Sequence, residues 1–85
     1  MANNNQNSNV LDNSPEGQAA RALSYAKREV PGIMKVMSAL GCEKSYDEIL
    51  DANFAIKLEL VRNKVAEVSG AIKSDAERIA AALVK

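Results

Sequence analysis

The sequence predicts an all-α fold: a helical hairpin of three to four helices with a long C-terminal helix, completed by oligomerisation. Apolar residues recur at steps of three and four from Ala19 to Leu83, with no strand-like alternation. Capping boxes, Pro and Gly punctuate that pattern where helices should start and stop. Finally, 85 residues at 47% apolar content support one small core and exclude a two-domain enzyme.

Composition divides the chain near residue 13. Residues 1–13 hold six Asn, with only Val10 and Leu11 as branched apolar side chains, so they read as a disordered polar tail. The helical hairpin domain occupies 14–85, with helices expected at about 14–30, 32–41 and 46–84. Asn13 with Glu16 fits a capping box and Pro15 suits a first helical turn. Ala19, Leu23, Ala26 and Val30 then share a face, and Pro31-Gly32 should stop or kink the helix. A short, nearly all-apolar helix follows, with Gly41 as its C-terminal cap.

Ser45-Tyr46-Asp47-Glu48 is the clearest start signal, a complete capping box with carboxylates at the positive end of the helix dipole. Beyond it, Phe54, Leu58, Val61, Val65, Val68 and Ile72 alternate steps of four and three, the seam of packed helices and coiled coils. The phase continues to Ala76, Ile79 and Leu83, which favours one helix to the C-terminus. Gly70 and a second capping box, Ser74 to Glu77, support the alternative of a break at 70–74. Ile49, Ala52, Ile56 and Leu60 add a second apolar face.

An unbroken second arm of about 55 Å would outrun a first arm of about 40 Å. Two apolar faces with one short partner arm need a second chain, and so small a core is commonly completed that way. The sequence therefore points to a homo-oligomer with interaction residues on the seam (Phe54, Leu58, Val61, Val65, Val68, Ile72) and on the second face (Ile49, Ile56, Leu60).

Chemistry is sparse. The chain has no His, which removes the commonest acid–base group and zinc ligand, and its one cysteine, Cys42, precludes an intramolecular disulfide. Asp47 and Asp51 lie four apart on one helix face, a spacing able to hold a hard cation, but the helix dipole alone accounts for carboxylates there. Tyr25 and Tyr46 read as packed rings with wet hydroxyls, and Cys42 as a turn residue without an activating neighbour. No catalytic residues, cofactor or metal are implied.

Eleven basic and eleven acidic residues leave zero formal charge, so no global field draws the chain to nucleic acid or an anionic membrane. Arg21, Lys27 and Arg28 form the cluster that would contact phosphate; Arg62 and Lys64 are the other local basic group. A helix-turn-helix around Gly41 is opposed by Asp47-Glu48 at the start of its recognition helix. No apolar run suits a membrane span or a signal peptide, which places the protein in the cytoplasm and leaves signal-independent export open.

The expected function is a small non-enzymatic protein–protein interaction module, a regulator, inhibitor or adaptor, whose partners are itself and another protein. The alternative is a structural subunit of an ordered assembly. In outline the chain is similar to secretion-needle subunits: a polar tail, a broken first helix, a short turn and a long C-terminal helix. That resemblance implies a filament subunit, although the turn Cys42-Glu43-Lys44-Ser45 lacks the proline usual there. A weak nucleic-acid-binding regulator is the remaining alternative.

Overall fold

The computed structural model describes residues 14–83, and among these it holds three helices: α1 (Pro15–Ala39), α2 (Tyr46–Arg62) and α3 (Ile72–Leu83). The expected polar tail, the Asn13 cap and the last two residues lie outside that range. All described regular structure is helical, as the periodicity requires.

α1 starts on Ser14, whose hydroxyl accepts a hydrogen bond from the Gly17 N–H at 3.0 Å, with Pro15 in the first turn. The expected division at Pro31 does not occur; the helix runs through it. Proline removes one backbone bond, to the Lys27 carbonyl, and Lys27 and Pro31 are both exposed, so water can satisfy that oxygen. On the opposite face Ala22, Ala26, Val30, Ile33 and Met37 are all buried, and this continuous apolar stripe outweighs the local break. α1 ends at a glycine turn. Gly41 takes φ 78°, its N–H donates to Ser38 O and the Cys42 N–H donates to Met37 O, which completes a Schellman motif.

α2 opens with the expected capping box: the Ser45 hydroxyl accepts from the Glu48 N–H, and the Ser45 N–H donates to the Glu48 carboxylate. The expected long helix is overturned at its other end. Lys64 sits at φ 57°, its N–H donates to Val61 O and the Val65 N–H donates to Leu60 O, both at 3.0 Å. This is a second Schellman motif, formed around a lysine where glycine is usual. Residues 63–71 form a linker, so the break precedes the expected 70–74. Val65 and Val68 lie in it, and only Phe54, Leu58 and Val61 of the seam belong to α2.

α3 begins before the second capping box, with Ser74 inside its first turn and the Asp75 N–H donating to Ala71 O. It folds back against α1 and α2. Val30, Ile33 and Met37 of α1, Ile49 of α2, and Ala76, Ile79 and Ala80 of α3 form one core, with Ile56, Ile72 and Leu83 packed on it. Gly32 lets Ile72 pack closely on α1, since a methyl there would stand 3.1 Å from Ile72 Cδ1. Ile49 and Ile56 of the second face are therefore used within the chain. With α1 unbroken and α3 folded back, two of the four features of the needle-subunit outline, the broken first helix and the long C-terminal helix, are absent among the described residues.

Two predictions follow the caps. Lys64→Gly relieves a left-handed residue and should stabilise the dilute protein by about 0.5–1 kcal/mol in urea melts, the strain relieved less the unfolded-state entropy of glycine. The hydrogen bond from the Ser45 N–H, then that from its hydroxyl, hold the Glu48 carboxyl below the usual glutamate range. A depressed acid contributes stability above its unfolded value, and that stability is lost as pH falls through the lower folded value. Glu48→Gln should accordingly be less stable than wild type near pH 7, with the difference closing in acid, as read by circular-dichroism melts at about pH 7 and pH 3.

Candidate interaction surfaces and a buried ion cluster

The buried line of α2 is Ile49, Asn53, Lys57 and Val61, spaced by four. Its apolar lines flank this row, and the two central members are polar. Lys57 is fully buried. Its ammonium donates to Asp75 Oδ2 of α3 at 2.7 Å and to the Val68 carbonyl of the linker at 2.8 Å. Glu29 of α1 brings Oε1 within 2.8 Å of the same nitrogen, outside hydrogen-bond alignment, so that contact is ionic. The other Glu29 oxygen accepts from the Gly70 N–H at 3.1 Å.

Three helices and the linker thus meet on one ammonium. The cluster holds two carboxylates against one cation, and Lys57 and Asp75 stand at the wall of a cavity of about 320 Å³ that is otherwise lined by Leu60 of α2 and by Glu67, Val68, Ser69, Gly70 and Ala71 of the linker. Below it the Asn53 Nδ2 reaches the Ala26 carbonyl at 3.4 Å, while Asn53 Oδ1 is buried without a partner. Sequence reasoning missed this cluster. The signal lay in the phase of Lys57, four residues from both Asn53 and Val61, and in Glu29 beside the stripe of Ala22, Ala26 and Val30.

Two further surfaces are open. The first is an apolar groove of about 260 Å³ between α1 and α2, lined by Ala19, Ala20, Leu23, Leu50, Asp51 and Phe54. Asp51 is its one charged residue, and Leu23 is 39% exposed. Of these residues only Leu50 also packs on the core that α3 completes. The second is a smaller cleft where α1, the end of α2 and the linker meet, lined by Arg21, Tyr25, Val61, Lys64, Val65, Ala66 and Val68. Arg28 lies 5.5 Å from the Tyr25 ring centre, a cation–π distance.

The expected site residues are redistributed. Phe54 joins the groove; Val61, Val65 and Val68 join the cleft; Leu58 and Leu60 are half-buried; Ile72 packs on the core at the start of α3. Of the phosphate candidates, Arg21 lines the cleft, Lys27 is exposed on α1, and Arg28 hydrogen-bonds Ser24 beside Tyr25. The three do not converge on one point. Cys42 is half-buried against the core.

Among the described residues no group of His, Cys, Asp and Glu is placed to hold a metal, and no helix is long and apolar enough to cross a membrane. Comparison with known proteins finds no matching family model, no similar curated protein and no similar solved structure.

Removing the central cation would leave two carboxylates buried together. Lys57→Met should therefore cost about 3–5 kcal/mol in urea unfolding, the range for breaking a buried pair from one side. Adding Glu29→Gln and Asp75→Asn to that variant should recover most of the loss, because the burial penalty of unpaired charge is then gone.

Proposed function

We propose that the chain is a small non-enzymatic helical interaction module, a regulator, inhibitor or adaptor, that acts as a homo-oligomer and presents the assembled surface to another protein. The supporting observation is the apolar groove left beside α1 and α2 after α3 has covered the rest of the core. Ala19 and Ala20 are small enough to let a second helix approach closely, and Leu23 and Phe54 supply apolar area that water leaves on contact.

A second copy is the occupant this reading adopts. A two-fold axis beside α1 would set Ala19, Ala20 and Leu23 against their own counterparts, and a self-complementary patch of this kind closes at the dimer. The neutral chain offers no field for nucleic acid, no reactive constellation supports an enzyme, and a cytoplasmic location suits the single cysteine.

Sedimentation velocity across a concentration series checks the main reading. Wild type should give a discrete dimer as its smallest associated species. Leu23→Asp and Ala20→Arg should each abolish that dimer without loss of helix content, since Ala20 is exposed and Leu23 partly so. A wild-type dimer unaffected by both substitutions would reject the groove.

A further inference from the structure

We infer that residues 10–13, which lead into α1, fold back so that Val10 and Leu11 occupy the apolar groove of their own chain, and that they must leave it before a second copy can enter. The inference rests on the reading of that groove as the dimer face and adds its regulation. The walls are Ala19, Ala20 and Leu23 of α1 against Leu50, Asp51 and Phe54 of α2, with Leu23 39% exposed.

Reach decides the occupant. The described residues begin at Ser14, the N-cap of α1, only five positions before Ala19. At the helical rise, Ala19 and Ala20 lie about 7–9 Å along α1 from Ser14, and Leu23 about 13 Å. An extended chain advances ~3.3 Å per residue, so Leu11 and Val10, just upstream, reach about 10 and 13 Å back from Ser14. The two spans match. Ser14 is itself extended, at φ −65° and ψ 154°, so the backbone has already left the helical path there. Asp12 and Asn13 supply the reversal, since both residue types favour turns through side-chain bonds to their own backbone.

Composition agrees with reach. Val10 and Leu11 are the only branched apolar side chains among residues 1–13, and they stand next to each other. Successive side chains of an extended segment point to opposite sides, so a segment lying along the groove sends Leu11 toward Ala19 and Ala20 and Val10 toward Phe54. Asp51, the one charged residue of the groove, can accept from the amide of Asn9 beside Val10. Asp12 then falls near the N-terminus of α1, where the helix dipole favours a carboxylate.

Tethering lets so small a contact count. A linked segment meets its site at an effective concentration on the order of a millimolar, and a second copy competes with it only when the protein is concentrated. A two-fold contact needs both grooves open. If the segment fills about three grooves in four, one chain in four is competent, and the dimer weakens about sixteenfold, by the square of that fraction.

Two measurements on the full chain test the inference. Phe54 is the only phenylalanine, so a methyl group against its ring carries a ring-current shift and an Overhauser contact assignable to it by NMR. In the dilute monomer the Val10 and Leu11 methyls should show both, and Phe54→Leu should remove the shift. In sedimentation velocity, Val10→Asn with Leu11→Asn should tighten the dimer by about tenfold or more. Helix content should stay unchanged, because both positions precede the first cap.

Val10 and Leu11 methyls without contact to Phe54 in the dilute chain would overturn the inference. A dimer no tighter in the Asn pair than in wild type would overturn it too, and neither result would touch the groove as a dimer face. Methyl contacts to Phe54 in a chain that stays monomeric at every concentration, wild type and Asn pair alike, would instead reject the dimer and uphold the segment in its groove.

Discussion

A single ammonium inside an 85-residue chain decides how its parts are arranged. Lys57 takes a carboxylate from α1, a carboxylate from α3 and a carbonyl from the linker, and none of these can shift by a turn without leaving a buried ammonium short of a partner. Burying three ions costs several kcal/mol apiece before their attraction is counted, so the cluster is a poor source of net stability. What it supplies is register. Apart from Ile72 against Gly32, the apolar residues of α3 facing the core are Ala76, Ile79, Ala80 and Leu83, small or branched side chains that carry no directional contact to fix its position along α1. Asp75 on Lys57 removes that freedom, and the Gly70 N–H on Glu29 fixes where the linker ends.

Much of the hairpin was legible because its signals are local. Ser45 to Glu48 announces a helix start through groups three residues apart, and Gly41 announces a stop through the one residue type that adopts positive φ freely. The end of α2 was illegible for the same reason: Lys64 carries no mark of a left-handed residue, and Val65, Val68 and Ile72 continue the helical phase across a segment that is not helical. Val65 and Val68 instead line the cleft beside the end of α2. Pro31 misled in the opposite direction, since its local cost is real but is overcome by a stripe of buried residues on the other face of α1.

The candidate surfaces were harder to read than the helices. Counting apolar lines along α2 found two, and both exist, but they flank a row with Asn53 and Lys57 at its centre. A lysine among apolar neighbours looks like a break between two faces when its partners, Glu29 and Asp75, lie 28 residues before it and 18 after. The unclaimed apolar area is consequently smaller than the sequence suggested, and it lies where α1 and α2 meet. The groove is apolar and nearly uncharged, whereas the cleft is small and basic; contacts at the two would differ in their response to salt.

Chain order gives the ion cluster a kinetic meaning. Glu29 and Lys57 belong to the hairpin of α1 and α2. Their pair is neutral. Asp75 comes last, and brings a second carboxylate to a site whose one positive charge is already shared. Docking α3 is therefore the step at which the desolvation of a second carboxylate must be met, and undocking it would return that carboxylate to water. Such partial opening would uncover Ile49 and Ile79 while α1 and α2 stayed paired, so the transiently exposed surface of this protein is its own core.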